Sequence, residues 1–202
     1  MKKSLFTIFL LLTGFCASAK SPALRFSAEL DWGYAAQVYS SKIFVYYPNS
    51  INYRVNDIQR GPTFFNNAYC NLGAGIDFLD YFSLHLKAGF QGVDRDFIIT
   101  PFQAQLRFFT NGYGKNGHFF MAEGGAALRK SNFDDRCFLA AFGAGYRYCL
   151  YRRCCLDICA SAQLINCSPQ PYDKVEGYIP RKQIVASDVT YVLLSLGLGI
   201  SF

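Results

Sequence analysis

The chain has 202 residues, of which 51% are hydrophobic and 17% aromatic, with a formal net charge of +6. Beyond the first 19 residues no apolar run reaches the roughly 18 residues of a helical membrane span, so helical crossing is excluded. Removing Lys2 and Lys3 with those residues leaves +4, and no basic patch interleaved with stacking aromatics argues for a nucleic-acid partner.

The amino terminus reads as an export signal. Met1-Lys2-Lys3 is a basic n-region, Leu5 to Leu12 a short apolar run, and Ala17-Ser18-Ala19 an A-x-A cleavage site. Phe15 stands where a lipoprotein signal wants a small residue before Cys16. The expected division is therefore a cleaved signal at residues 1–19 and one domain at residues 20–202.

Eight segments then alternate apolar and small or polar residues with a period of two. The first, residues 24–38, puts Leu24, Phe26, Leu30, Trp32 and Tyr34 on one face and Arg25, Glu29 and Asp31 on the other. The second, 68–78, sets Leu72, Ile76 and Phe78 against Asn71, Gly73, Gly75 and Asp77, and a tight turn at residues 79–81 follows. The third sets Phe82, Leu84, Leu86 and Phe90 against Ser83, His85 and Lys87. The fourth, near 98–108, sets Phe102, Leu106 and Phe108 against Gln103, Gln105 and Arg107, with Pro101 weakening its upper half. The fifth, 119–129, turns Glu123, Gly125 and Arg129 inward. The sixth, 137–148, exposes Phe138, Phe142 and Tyr146 over Arg147, and the seventh, 154–164, exposes Leu156 and Ile158 over Asp157. In the last, Val192 to Phe202, every even position is apolar and bulky, and from Ser195 on every odd one is Ser or Gly.

Such faces suit a strand with lipid on one side and a narrow lumen on the other, so an all-β, eight-stranded antiparallel up-and-down transmembrane barrel is expected. With both termini on the periplasmic side, the outer connections are residues 40–67, 92–97, 130–136 and 165–188. The inner ones are 79–81, 110–118 and 149–153. Aromatics fall on the outward faces at both ends: Phe26, Phe78, Phe82, Phe108, Tyr146, Tyr148 and Phe202 at one, Trp32, Tyr34, Phe90 and Phe138 at the other. That is the pattern of two interfacial belts.

On the leader, the eight segments and the ending Gly197-Leu198-Gly199-Ile200-Ser201-Phe202, the chain resembles small eight-stranded Gram-negative outer-membrane β-barrel proteins of the outer-membrane-protein A/X-like type. The resemblance covers residues 20–202. It implies the cell outer membrane as location, membrane lipid and the barrel-assembly machinery as partners, and Phe202 as the assembly signal. It carries no catalytic motif.

Parity places Glu29, Asp31, Asp77, Glu123 and Asp157 in the lumen with Arg25, Lys87, Arg107, Arg129 and Arg147. Five acids face five bases, so a salt-bridge network plugging the barrel is expected, because unpaired ions there are costly. Inward glycines, including those of the Gly-x-Gly pairs, make room for long polar partners. His85 faces inward near Ser83, Asp77 and Asp157, and His118 opens the fifth strand. Without a nucleophile elbow, both read as structural, and no catalytic, metal or cofactor residues are assigned. Seven cysteines follow the leader. Cys155 and Cys159 share a face that Cys154 does not, which argues against one metal site, and Cys149 with Cys154 flanks an inner turn as a candidate bridge. Most of the seven read as small apolar filler.

The expected role is structural or interactive. Outer loops would meet an extracellular protein or glycan, and residues 43–47 would pair with 51–55 to prolong the first two strands. A lipid-modifying acyl hydrolase or transferase and a narrow solute channel are the alternatives.

Overall fold

The computed structural model describes residues 24–48, 53–94, 97–129, 132–151, 154–173, 175 and 177–202. The expected signal peptide lies outside them. The strands are β1 (Arg25–Tyr46), β2 (Val55–Phe78), β3 (Phe82–Asp94), β4 (Phe97–Phe109), β5 (Gly117–Arg129), β6 (Asn132–Tyr151), β7 (Cys154–Cys167), β8 (Tyr172–Asp173), β9 (Gly177–Tyr178) and β10 (Ile184–Ser201). Eight of these close antiparallel in the order β1-β10-β7-β6-β5-β4-β3-β2, and β8 and β9 form a separate two-stranded ribbon. Closure removes every edge within the bilayer, which is the condition for a sheet to cross lipid.

The two faces follow the alternation. Phe26, Leu72, Leu86, Phe142 and Leu196 project outward and are exposed, whereas Glu29, Asn71, Lys87, Arg107 and Arg147 are buried inside. The periplasmic belt is physically continuous in part: Phe82 stacks on Phe78 at 5.8 Å and meets Phe108 at 5.2 Å. His118 sits in this belt, edge-on to Tyr146. The β2–β3 turn takes positive φ at both Leu79 (56°) and Asp80 (55°). These are the first two of the three residues, 79–81, that connect the paired Phe78 and Phe82. Phe202 closes the barrel, exchanging backbone hydrogen bonds with Ala28 at 2.9 and 3.2 Å.

At the outer end β1, β2 and β10 outrun their sequence-based limits furthest. β1 and β2 stay paired to Tyr46↔Val55, and β1 pairs with β10 to Tyr46↔Ile184. The outer connection 40–67 is thus largely a prolonged hairpin. Its register differs from the expected one: Ile43 faces Ile58, not the 51–55 segment. The reason is the length of the connection, since residues 47–54 separate the paired Tyr46 and Val55 where a three-residue turn at 48–50 was expected. Lower down, a bulge between Gln37 and Tyr39 moves the inward set of β1 from odd to even positions. Ser40 is accordingly buried while Tyr39 is exposed.

The lumen is layered. Toward the outer mouth an apolar cluster joins Ala35, Val93, Ile99, Leu139, Ile165 and Leu193, with Tyr69 packed against it. Tyr69 reaches across the barrel over two glycines: a Cβ at Gly33 or Gly197 would collide with its hydroxyl. At the periplasmic end Phe109, Phe119 and Met121 cluster beneath Tyr113. Between these layers lie the charges.

Two disulfides join β6 to β7. Cys137 bonds Cys167 at the outer end, and Cys149 bonds Cys155 at the inner end. The expected Cys149–Cys154 bridge is not formed, because Cys155 is the residue directly opposite Cys149 in the register. Four of the seven cysteines expected mainly as apolar filler are therefore crosslinks. Cys70, Cys154 and Cys159 are free thiols.

Candidate functional site

The charged layer is assembled from β1, β2, β3, β4, β5, β6 and β7. Glu29 is its hub. Its carboxylate lies 2.8 Å from Arg107 Nη1, 3.3 Å from Lys87 Nζ and 3.1 Å from His85 Nδ1. Lys87 also reaches Asp31 at 3.1 Å and Glu123 at 3.4 Å. Arg107 continues to Asp157 at 2.9 Å, and Arg147 grips the same carboxylate in a fork of 2.7 and 2.6 Å. Such bidentate geometry is among the strongest ion-pair arrangements and holds both groups in one orientation. The Arg147 guanidinium rests over the Phe109 and Tyr113 rings at 4.4 and 4.6 Å, and Arg107 over Phe119 at 5.2 Å. The periplasmic aromatic cluster thereby completes the cation surroundings.

Glycines on β2 create the reach. Gly73 stands between Glu29 and Lys87 in the register, and Gly75 between Ser27 and His85. A Cβ at Gly73 would press on both Glu29 and Lys87 side chains, and one at Gly75 would overlap His85. The gap lets groups from β1 and β3 meet across the intervening strand.

Eight of the ten lumen residues expected from parity come together in this way. Arg25 does not. It stands at the first position of β1 and pairs with Asp80 at 3.8 Å, with 57% of its side chain exposed. Parity gives a residue's face but not its height, and this one clears the periplasmic rim. The Arg129 side chain lies outside the described residues. Among described side chains the layer thus holds five carboxylates, three permanent cations and His85.

His85 also departs from its expected surroundings. Asp77 is near, at 3.7 Å, but Asp157 is engaged by the arginines and the Nε2 partner is Ser27 Oγ at 3.0 Å. With Glu29 at Nδ1, Ser27–His85–Glu29 has the order of a hydroxyl, imidazole and carboxylate triad. Ser27 could have been noticed, since it shares the inward face with Glu29 two residues on. The surroundings weaken the chemistry: Glu29 is already bound by two permanent cations. The mid-barrel cavity, about 30 Å³ in water-reachable volume and lined by Asp31, Tyr69, Lys87 and Glu123 among others, is not bordered by Ser27 or His85. In the periplasmic turn, burial first and then the Asp77 charge push the Tyr113 phenol above its ordinary range.

Among the described residues no group of three His, Cys, Asp or Glu side chains is placed to hold a metal ion. Cys155 is committed to its disulfide.

Neither a family profile nor any curated sequence matches the chain. Solved structures do. Neisserial surface protein A overlays with a TM-score of 0.51 at 12% identity, over 89% of this chain and 99% of that one. The chain folds as a small eight-stranded outer-membrane β-barrel. OprG from Pseudomonas aeruginosa overlays at 0.45 with 14% identity, over 87% of this barrel and 95% of its own chain. Ail, the attachment invasion locus protein of Yersinia pestis, overlays at 0.38 with 16% identity, over 87% and 98%. The barrel's own exposed apolar girdle and interfacial aromatics place it in lipid.

The outer mouth is the second region with a shape of its own. A cleft of about 370 Å³ opens there, bordered by Lys42, Phe44, Asp94, Phe97, Tyr172, Tyr178 and Tyr191. No motif in the sequence marks it, because its walls come from β1, β3, β4, β10 and the loop carrying β8 and β9.

Proposed function

We propose that this barrel is an interaction scaffold: a closed stave that holds a folded surface outside the membrane. The observation that carries the reading is the contrast between a lumen filled by ion pairs and capped by an apolar layer and three strands prolonged past the lipid band. A rigid interior serves positioning of what lies above it. Phe202, with its ring on the lipid face, is the assembly signal in this reading. The test is reconstitution in planar bilayers together with surface labelling of intact cells at the outer loops. The expected result is no large, stable single-channel steps and full labelling; nutrient-sized conductance would favour the channel instead.

The hydroxyl–imidazole–carboxylate line favours a second reading, an acyl hydrolase reached from the periplasmic side. A fluorophosphonate probe applied to the folded barrel separates the two. Labelling lost in Ser27→Ala would support the hydrolase, and no labelling supports the scaffold.

A further inference from the structure

The cleft at the outer mouth has a floor, walls and, among the described residues, one charged element. Phe97 and Tyr191, packed at 5.6 Å, form a buried floor above the apolar layer of the lumen. Tyr172 and Tyr178 face each other across the β8–β9 ribbon, edge-to-face at 5.3 Å, and remain 64% and 56% exposed. The charged element is the ion pair of Lys42 Nζ with Asp94 Oδ2 at 3.0 Å, the ammonium also lying 5.8 Å from the Tyr191 ring centroid.

The wall is held in place before anything binds. Gln170 Nε2 donates to Ile179 O at 2.8 Å, Tyr46 Oη to Asp173 Oδ2 at 3.2 Å, and Tyr47 N to Gln183 O at 3.0 Å. Ser187 Oγ donates to Pro169 O. The tyrosines are therefore fixed platforms, large contact surfaces whose ordering cost is already met.

We propose that this cleft binds a neutral saccharide unit. Three features select that chemistry. The exposed tyrosine faces suit the apolar C–H face of a pyranose ring. The Lys42–Asp94 pair offers charged donors and acceptors side by side, which matches vicinal hydroxyls. Because the pair cancels its own charge, the cleft has, among the described residues that border it, no excess of cations for a polysulfated or phosphorylated chain. The volume lies within the range of small-ligand pockets, about 300–1,000 Å³. The sugar can belong to lipopolysaccharide of the same surface or to a glycan from outside. The inference deepens the scaffold reading and rests on it.

Saturation-transfer NMR and calorimetry on the folded full barrel in nanodiscs test it, using maltotriose and chitotriose as neutral probes and a heparin-derived disaccharide as the anionic one. Nanodiscs containing lipopolysaccharide with complete or truncated saccharide distinguish the two sources. If the lipopolysaccharide sugar is the ligand, the complete form will compete with the trisaccharides; an outside glycan leaves them uncompeted. Wild type should bind at least one neutral trisaccharide. The paired substitution Tyr172→Ala with Tyr178→Ala should weaken binding at least tenfold, as should Asp94→Asn, while the variants keep their heat-modifiable barrel band. Failure of both neutral probes overturns the inference, as does preference for the sulfated probe or unaltered binding by the tyrosine variant. Impermeant labelling of Ser168→Cys on whole cells separates the outcomes. Labelling without sugar binding leaves the scaffold standing, and absence of labelling removes the scaffold itself.

Discussion

The inner and outer halves of the lumen solve one filling problem with opposite chemistry. Toward the periplasm, Glu29, Arg107, Asp157 and Arg147 form a chain of ion pairs; toward the outside, Ile99, Leu139, Ile165 and Leu193 pack like the core of a soluble protein. The ionic half is strongly specified but unforgiving, since each carboxylate serves several partners and a missing one strands the others. The apolar half is tolerant of exchange among residues of similar volume. A polar lumen is usual for barrels of this class. Here the apolar cap lies directly beneath the mouth cleft and supplies its floor.

Breaking the ionic half should have the larger effect. Asp157→Ala leaves both Arg107 and Arg147 without that carboxylate, and removing one partner of a buried pair typically costs about 3–5 kcal/mol. Urea titration of folding into lipid vesicles, read by the heat-modifiable band, measures it. Replacing Asp157 and Arg147 together by fitted apolar residues should recover most of the loss. In the apolar half, Leu193→Ala should cost about 2–3 kcal/mol, toward the lower end for such truncations, because the layer borders open space into which neighbours can relax. The same titration should show Leu193→Met close to wild type.

Serine in place of both Cys137 and Cys167 should lower stability by about 2 kcal/mol under oxidising conditions and leave the reduced protein unchanged. The smallest effect sharpens the boundary of the ionic half. Arg25→Ala should not move the midpoint at all, since the Arg25–Asp80 contact is exposed. A large loss there would mean that the network extends to the periplasmic rim.

The strands were legible because lipid on one side and a lumen on the other impose a two-residue period, from Phe26 to Phe202. That signal fades at Val38, where a bulge exchanges the faces and the chain leaves the lipid, so the prolonged strands could be suspected but not put in register. Face assignment found Glu29, Lys87 and Arg147 for the same reason that it misplaced Arg25: alternation carries no information about depth. The Ser27–His85 contact and the cysteine pairs depend on which residue lies opposite which across neighbouring strands. That register is set by turns and bulges whose geometry the residue pattern does not reveal. The mouth cleft, drawn from distant segments, had no local signature.

The two disulfides on one strand pair have a topological consequence. Cys137–Cys167 and Cys149–Cys155 are cross-strand rungs at opposite ends of β6 and β7, so together with the intervening backbone they close a covalent ring. Such a ring cannot slide one strand past the other, whatever the surrounding solvent. If it closes in the oxidising space before insertion, the bilayer receives this hairpin already committed to one alignment, and β5 and β10 have a fixed template on either side. Reductant present before assembly should then yield misregistered, protease-sensitive chains, whereas the same reductant added afterwards meets a wall that lipid already confines.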